Sequence, residues 1–523
     1  MPSSKPPPKS ERSANAFLAQ SMVANFVVHG LAIVIMALVL APMLPGGGEP
    51  DDRLRVASIA NQPLRFRLGW LPWHLCAVAD LWMAVAMLRV KWIPKLPAAL
   101  VLVLTLGAVF PDQYAQISWV THGVDLAKQA HSEAGLTRYL KYESSIFVMT
   151  ASYAAFLYTI AALGWTWAFA KAGTWSRALT WLSIPTWAIM LTVTSVFFLP
   201  PSFRLPPEWV AGGNALGFLL LQVWLALVTE QVLRRGRPIA PFGRDARWRH
   251  PSSNPMARIL DWVTNSRLAG VFLEPLPAFA MRSDITDVVY VNYLVPVEKL
   301  LPLVPPGLEL QRLGSNSQFG LFTFLTYQHH HFGFRILGPL RRFMPSPVQT
   351  NWRIHVRDPR RGTLGIYFVT NAITNTFQAV GARMLTEGMP MHVLARGEVK
   401  RDHNGHMHLT LDPGNGTGPK AEAHLQPAPS LAWEDVWKEC FPSFQAFLEY
   451  CVPQDRAFST QLAANTITRQ EIHLGIPLSI CEPMTGEVNS PSAAAIVGTA
   501  QPVCFRVPNV NFVFETEEKD ELT

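Results

Sequence analysis

The sequence contains few charged residues and few cysteines. Asp, Glu, Lys and Arg make up 15% of its 523 residues, against about a quarter in ordinary soluble domains. This deficit excludes an intrinsically disordered or fibrous chain. The five cysteines are odd in number and form no C-x-x-C pair, which is typical of buried free thiols in a reducing compartment.

The positive charge is concentrated in parts of the chain. Residues 1–233 hold 16 Lys and Arg against 11 Asp and Glu, and residues 234–249 hold six arginines against one aspartate. Residues 250–523 hold 22 basic and 25 acidic residues. A nucleic-acid-binding domain would carry a basic stripe on its folded surface, so we expect no nucleic-acid partner. Membrane association is the leading interpretation.

Six long apolar segments predict six membrane spans, because a bilayer crossing needs about 20 mainly apolar residues. The lipid bilayer is therefore an expected partner. The segments are 22–44, 68–88, 96–111, 144–170, 178–203 and 209–229, of which the third is the shortest. The first could instead be a signal peptide, but its apolar run exceeds the usual length of about 7 to 15 residues and no convincing cleavage site follows.

Lys and Arg residues in the short loops predict the orientation. With the N-terminus inside, the inner segments hold 14 of these residues and the outer loops hold 8, in agreement with the positive-inside rule. We therefore expect a multi-pass protein of a bacterial inner membrane with both termini in the cytoplasm. This parity requires the third span to cross.

Two ionisable residues inside the predicted spans are functional candidates. Asp80 lies near the middle of the second span, and His29 lies within the first. Because a charge in lipid is expensive, such residues commonly mark proton relays or cation sites. The alternative is that they are neutral or paired residues that fix the packing of helices.

The second half changes to short strands rich in β-branched and aromatic residues, which predicts a mainly β domain. Expected strands are 287–295, 319–327, 349–356, 364–370, 390–400, 405–411, 466–473 and 502–515, and expected helices are 374–386 and 433–450. The helix at 433–450 is interrupted at Pro442. Residues 349–356 alternate, which places Gln349, Asn351, Arg353 and His355 on one face.

Four motifs follow one another in this half: YLVPVEKLLPLVPPGLEL at 293–310, NWRIHV at 351–356, GARMLTEGMPMHVLARGEV at 381–399 and PVCFRVPNVNFVF at 502–514. As a set they resemble a bacterial, acetoacetate-decarboxylase-like family known as domain of unknown function 2071. The resemblance implies a closed, cone-like β-barrel with an internal pocket. It implies no activity, because the family is uncharacterised.

Arg353 is the main ligand-binding candidate. A guanidinium in a barrel lumen would bind a carboxylate or phosphate through two hydrogen bonds, whereas on the surface it would be solvated or salt-bridged. Gln349 and Asn351 share its face, and Met391 and His392 complete the expected ligand-binding set. His392 and Glu398 are the only candidates for catalytic groups.

The resemblance argues against decarboxylase activity. The related enzymes form a Schiff base on a lysine in a Gly-x-Pro-Lys-Lys run, and the corresponding run here is Gly-Met-Pro-Met-His at 388–392. Neither Met391 nor His392 can form that imine. The usual acidic residue two positions before the Asn of the Asn-x-Arg motif is replaced by Gln349.

No metal or cofactor is expected. His329, His330 and His331 form a run, but no carboxylate stands at a spacing that suits a metal site. The GNGTG segment at 414–418 is not followed by Lys-Ser or Lys-Thr, so it is interpreted as a flexible turn and not as a phosphate-binding loop.

These patterns predict an N-terminal all-α six-helix transmembrane bundle and a C-terminal mainly β (α+β) acetoacetate-decarboxylase-like barrel. The expected segments are a cytoplasmic tail at 1–20, the membrane domain at 21–233, a basic junction at 234–280, the barrel at 281–516 and an acidic tail at 517–523. The leading hypothesis is a barrel that binds a small anionic or amphipathic molecule. The alternatives are a membrane-tethered enzyme for a lipid-derived or keto-acid substrate, and a transporter with a regulatory soluble domain.

Overall fold

The chain divides into two compact units, Met1–Gly236 and Arg237–Thr523. The computed structural model describes residues 9–235, 246–273, 276, 281–385, 389–431, 433, 435–452, 456–461, 466–473 and 476–521. Part of the expected basic junction, with Arg237 and Arg244, lies outside the described residues, as does Gly388.

The N-terminal unit is helical. Its helices are α1 (Lys9–Ile35), α2 (Asp52–Asn61), α3 (Pro63–Arg89), α4 (Lys95–Ser118), α5 (Val124–Lys128), α6 (Glu133–Val148), α7 (Ala155–Lys171), α8 (Arg177–Ser195) and α9 (Pro207–Arg234). Two π-helical segments, Trp119–Gly123 and Met149–Ala154, join α4 to α5 and α6 to α7. Each of these pairs therefore continues as one long helical segment.

In the described part of the chain, six helical segments are long and apolar enough to cross a membrane, which confirms the predicted number of spans. They are Ser13–Met43, Pro63–Arg89, Lys95–Lys128, Glu133–Lys171, Arg177–Ser195 and Trp209–Arg234. The third is longer than predicted, because Pro111 and Asp112 lie inside α4. An internal proline costs a helix a backbone hydrogen bond, but α4 continues through Pro111 to Ser118.

The helices of this unit are apolar on their outer surfaces. Leu38, Val103 and Phe110 are each more than 60% exposed, and such surface is typical of membrane contact. Inside the bundle the Trp224 ring lies 5.3 Å from that of Trp187, centroid to centroid. Length, composition and exposure together suggest a membrane protein.

A buried ion pair ties α2 to α6. The Nη1 and Nη2 groups of Arg55 donate to the two carboxylate oxygens of Glu143 at 2.7 and 2.6 Å, and both side chains are at most 3% exposed. The Tyr139 hydroxyl donates to the same carboxylate at 3.0 Å.

The C-terminal unit is mainly β. Its strands are β1 (Met281–Pro296), β2 (Glu309–Leu310), β3 (Phe319–Phe334), β4 (Val348–Asp358), β5 (Thr363–Ile373), β6 (Met391–Val393), β7 (Arg396–Arg401), β8 (Met407–Asp412), β9 (Ala421–Pro427), β10 (Arg456–Gln461), β11 (Thr466–His473), β12 (Glu482–Asn489) and β13 (Val503–Glu521). Its helices are α10 (Pro255–Asn265), α11 (Arg267–Leu273), α12 (Val297–Leu300), α13 (Thr376–Met384), α14 (Asp435–Cys440), α15 (Phe444–Cys451) and α16 (Pro491–Val497).

Seven of these strands close into a ring. The order is β1-β3-β4-β5-β10-β11-β13, and β13 pairs back onto β1. A second group, β12-β9-β8-β7, continues the sheet from β13. Closure of the ring leaves these seven strands without a free edge.

Strand alternation separates two apolar layers. Tyr290 and Leu325 belong to one layer, and Phe324 and Trp352 belong to the other. In the antiparallel pairing of β3 with β4, Leu325 stands opposite Asn351 and Tyr327 stands opposite Gln349. Because paired residues share a face, the polar face of β4 is directed toward the layer of Tyr290 and Leu325.

Some element boundaries differ from the expected ones. The strand expected at 390–400 is split into β6 and β7, because its backbone changes partner: Leu394 N–H donates to Ile373 on β5, and Ala395 N–H donates to Asp412 on β8. Strands β9, β10 and β12 were not predicted. Residues 517–521, expected in an acidic tail, are the end of β13 and pair with β11.

Candidate ligand-binding site

A small cavity lies against the polar face of β4. Its volume is about 30 Å³, enough for about two water molecules. Ten of the twelve lining residues are apolar or aromatic, and the other two are Asn351 and Arg353. The cavity therefore combines apolar walls with one amide and one guanidinium, the composition typical of a small-molecule site.

Arg353 is buried at this cavity without an acidic partner. Arg353 is only 3% exposed. Its Nη2 donates a long hydrogen bond of 3.4 Å to the Cys451 carbonyl. Its Cζ lies 5.5 Å from the centroid of the Tyr290 ring, and its Nε has no hydrogen-bond partner. Among the described residues, no carboxylate lies within ion-pair distance of this guanidinium.

Two other buried arginines of the same sheet do have acidic partners. Arg469 on β11 pairs with Asp358. Arg506 on β13 donates to Asp287 at 2.6 and 2.9 Å and to Glu482 at 2.6 Å. Buried charges are normally paired, so Arg353 is the exception that requires an explanation.

The titratable groups around Arg353 do not compensate its charge. Burial raises the pKa of Cys451 to about 11 and that of Tyr290 to about 12, so both are neutral at pH 7. Burial, and then the charge of Arg353, hold the pKa of His355 well below its usual value, so this imidazole is neutral as well.

A chain of five hydrogen-bonded side chains ends at the cavity. The Ser283 hydroxyl lies 2.7 Å from His329 Nδ1, and His329 Nε2 lies 2.9 Å from Gln349 Oε1. Gln349 Nε2 then donates to Asn351 Oδ1 at 2.8 Å, and Asn351 Nδ2 donates to the Tyr327 hydroxyl at 2.9 Å. Four of these five residues are at most 2% exposed, and Asn351 is 6% exposed.

The neutral state of His329 sets the direction of this chain. Burial lowers the pKa of His329 to about 4, so at pH 7 one ring nitrogen donates and the other accepts. Because Gln349 presents its carbonyl oxygen to Nε2, that nitrogen carries the proton and Nδ1 accepts from Ser283. Each later member donates onward, which leaves the Tyr327 hydroxyl proton available to a ligand in the cavity.

A family model matches residues 282–438, which include Tyr327, Asn351 and Arg353. The family is domain of unknown function 2071. Its model is described as an uncharacterized conserved protein, and the match confirms the resemblance expected from the four motifs. A comparison with curated proteins gives no match.

Three solved structures similar to this chain are enzymes. An acetoacetate decarboxylase from Legionella pneumophila is 12% identical, with a TM-score of 0.33 over 47% of this chain and 90% of that chain. The enduracididine biosynthesis enzyme MppR is 12% identical, with a TM-score of 0.33 over 47% of this chain and 89% of that chain. An acetoacetate decarboxylase-like enzyme from Sphingomonas wittichii RW1 is 9% identical, with a TM-score of 0.34 over 47% of this chain and 94% of that chain. At these TM-scores nothing about activity follows.

Met391 and His392 both lie within the residues that the family model matches, but their side chains are on opposite faces of β6. Met391 on β6 is paired with Asn371 on β5, and it packs in the same apolar layer as Tyr290. His392 follows it in the strand and therefore points to the opposite face. His392 does not line the cavity, so the expected grouping of His392 with Arg353 is not found.

The surroundings of His392 indicate a role in holding the fold together. The Thr417 hydroxyl accepts from the Arg249 N–H at 2.9 Å and is hydrogen-bonded to His392 Nδ1 at 2.9 Å. Burial and the charge of Arg383 hold the pKa of His392 well below its usual value. A neutral, hydrogen-bonded imidazole on the far face of β6 is not placed to act on a ligand beside Arg353.

The GNGTG segment is anchored, contrary to its interpretation as a flexible turn. Asn415 N–H donates to the Pro251 carbonyl at 3.2 Å, and Thr417 N–H donates to the Arg249 carbonyl at 3.3 Å. Together with the bond to His392, these contacts fix the segment against residues 249–251.

Glu398 lies away from the cavity. It stands on β7, where it forms ion pairs with Arg396 at 2.8 Å and with Lys400. These two cations lower the pKa of its carboxyl, so it is ionised at pH 7. This surface arrangement gives Glu398 no contact with a ligand beside Arg353.

Three members of the hydrogen-bonded chain are not predicted from the sequence. Ser283 and Tyr327 have no signal of their own, and the run of histidines that contains His329 suggests only a metal ligand. Its neighbours differ from it: His329 is buried and His331 is exposed, with a positive φ of 55°. Among the described residues no group of three or more His, Cys, Asp or Glu side chains could hold a metal ion.

A larger groove lies elsewhere on the unit, between α12 and α16. Its volume is about 290 Å³ and its lining includes Lys299, whose ammonium group donates to the Val497 carbonyl at 3.3 Å. The groove is open to solvent and brings no second charged group to this lysine. We therefore prefer the small cavity at Arg353, where a buried charge and a hydroxyl donor lie in apolar walls.

Proposed function

We propose that the C-terminal unit binds a small carboxylate in the cavity beside Arg353, and that the protein is a membrane-tethered binding module. The observation that carries this proposal is the buried Arg353 guanidinium, which has no acidic partner among the described residues. A bound carboxylate would supply the missing negative charge. The planar guanidinium and the planar carboxylate match in a two-bond geometry.

The ligand class follows from the rest of the cavity. The Tyr327 hydroxyl offers a second donor, which suits a second carboxylate oxygen or a keto oxygen. Tyr290 and the aliphatic walls suit a short apolar chain and give no site for a second charge. The cavity volume of about 30 Å³, room for about two water molecules, favours the smallest acyl and keto acids over a phosphorylated metabolite.

Binding is favoured over catalysis by the groups that the cavity lacks. None of its twelve lining residues is a lysine, a histidine or a carboxylic acid, and Met391 occupies one of the two positions at which related enzymes carry lysine. Schiff-base chemistry requires a neutral amine. The enzyme alternative named His392 and Glu398, and neither of them lines the cavity.

Calorimetric titration of the full chain in detergent micelles tests this proposal. Acetate, butyrate and acetoacetate are the ligands, and butyramide is the neutral match of butyrate. We expect heats of binding for at least one carboxylate, none for the amide, and loss of binding in Arg353→Met. Arg396→Met, which removes an arginine with a 66% exposed side chain, is the control. Failure of every carboxylate to bind, or equal binding by Arg353→Met, would overturn the proposal.

The same proposal places the protein in an inner membrane with both termini in the cytoplasm. Six spans put the two termini on one side, and the excess of Lys and Arg in the inner segments selects the cytoplasmic side. The barrel would then meet cytoplasmic metabolites. Reporter fusions at residue 5 and at residue 523 should both be active with a cytoplasmic reporter and inactive with a periplasmic one. The opposite pattern would overturn this placement.

A further inference from the structure

Two carboxyl groups are buried in the membrane unit. Asp80 on α3 is 5% exposed and Asp112 on α4 is 6% exposed, and both lie in segments that are long and apolar enough to span a membrane. Cys76 and Tyr158 are within electrostatic range of both carboxyls, so the two acids belong to one cluster. Ionisable side chains at such positions are usually functional.

Asp80 is held by a single amide from α1. Asn25 Nδ2 donates to Asp80 Oδ1 at 2.6 Å, while the Asn25 Oδ1 atom is buried without a hydrogen-bond partner. His29 is one helical turn further along and makes a 3.1 Å hydrogen bond through Nδ1 to the Asn25 carbonyl. A carbonyl can only accept, so Nδ1 of His29 donates this hydrogen bond.

Asp112 receives more donors. Gln113 and Gln116 donate to its two oxygens at 3.0 and 2.8 Å, and the Thr150 hydroxyl donates at 3.1 Å. Thr150 lies in the π-helical segment Met149–Ala154, and π-helical turns occur frequently at functional sites. Gln116 Oε1 is buried without a partner, as Asn25 Oδ1 is beside Asp80.

Neither acid forms an ion pair with a lysine or an arginine among the described residues. No Lys or Arg lies within ion-pair distance of Asp80 or Asp112 in the part of the chain that the structure describes. Glu143 in the same unit is a buried carboxylate that does have a cationic partner, since it accepts two hydrogen bonds from Arg55. A buried carboxylate without a cation is strongly disfavoured. Binding of a proton removes the negative charge and needs no room for a further ion or side chain.

We propose that Asp80 and Asp112 form a proton-binding pair that exchanges protons with the aqueous phase. The titratable groups that face them are His29 from α1, His74 and Cys76 from α3, and Tyr158 from α7. The three donors on Asp112 stabilise its ionised form, whereas Asp80 has one donor, so the first proton resides on Asp80. Rotation of the Asn25 amide by half a turn would present Oδ1 to this proton.

Infrared difference spectroscopy tests the pair in the full chain reconstituted in liposomes. We expect a protonated-carboxyl C=O band that grows as the buffer is made more acidic and is missing in Asp80→Asn. Asp80→Glu should restore a shifted band, which separates loss of the acid from misfolding. Asp125→Asn, which removes an exposed carboxyl on α5, is the control and should leave the band unchanged.

Three results would overturn the proposal. The first is a wild-type spectrum without a titrating carboxyl band, and the second is a band that persists in both Asp80→Asn and Asp112→Asn. A signal that responds to Na⁺ at constant pH, with both carboxyls ionised, would also reject the proton as the ligand. The membrane unit does more than anchor the barrel if the band is found.

Discussion

Replacement of Arg353 and Arg506 by methionine should have opposite effects on stability. Arg506 makes three charge-assisted hydrogen bonds to Asp287 and Glu482, and breaking a buried pair usually costs about 3 to 5 kcal/mol. The acids left behind are 28% and 44% exposed and can be rehydrated in part. We therefore expect the lower end, a loss of about 3 kcal/mol.

For Arg353 there is no ion pair to break. The substitution removes a 3.4 Å bond to Cys451 and a cation–π contact at 5.5 Å, the latter worth about 0.5 to 2 kcal/mol. It also removes the cost of keeping an uncompensated charge out of water, which is several kcal/mol. The free protein should be unchanged or more stable by up to about 2 kcal/mol, since methionine retains most of the apolar stem.

The assay is urea unfolding of the full chain in detergent, followed by thiol labelling of Cys451 and Cys504, which are buried. A Cys76→Ala background removes the thiol of the membrane unit. A carboxylate at 100 times its dissociation constant should add about 2.7 kcal/mol to the wild type and nothing to Arg353→Met. If Arg353→Met loses as much stability as Arg506→Met, the guanidinium is paired in the folded protein and the reasoning is refuted.

Three further predictions concern the C-terminal unit. Because the pKa of His329 falls from 6.5 to about 4 on folding, its contribution is complete above pH 6.5 and is lost as the pH falls toward 4. The contribution of His329 to the free energy of unfolding is at most about 3 kcal/mol. His329→Gln should therefore reduce the loss of unfolding free energy between pH 6.5 and 4, whereas the control His403→Gln, at an exposed site, should not. Thr417→Val should cost about 1 kcal/mol by removing the hydroxyl bonded to His392, and an unchanged unfolding midpoint would contradict this role. Glu398→Gln should leave carboxylate binding unchanged in calorimetric titration, and weaker binding would return Glu398 to the site.

The polar face of β4 could be predicted from the sequence because a strand alternates with a period of two. Gln349, Asn351 and Arg353 could be assigned to one face without knowledge of any other strand. Tyr327 and His329 could not be added to them, because their positions depend on the register of β3 against β4, which is set by long-range pairing. The bulge between Trp352 and Arg353 is equally invisible in the local pattern.

The positions of Met391 and His392 show what the family motif alone does not specify. Met391 and His392 were grouped because the family motif has two adjacent lysines, but neighbours in a strand face opposite sides. The six spans, in contrast, follow from local hydropathy and could be counted directly. The length of the third could not, since Pro111 lies inside α4, whereas a proline within an apolar segment usually indicates that a helix ends or is kinked.

The closing strand of the barrel is also the last to be synthesised. Strand β13 ends at Glu521 and covers the edge of β1, which begins at Met281. At about 5 to 20 residues per second, roughly 10 to 50 seconds separate the synthesis of the two, whereas the last membrane helix is already complete at Arg234. During that interval β1 presents an unpaired edge, so a nascent chain that stalls before residue 503 carries a complete helical unit and an open, aggregation-prone sheet.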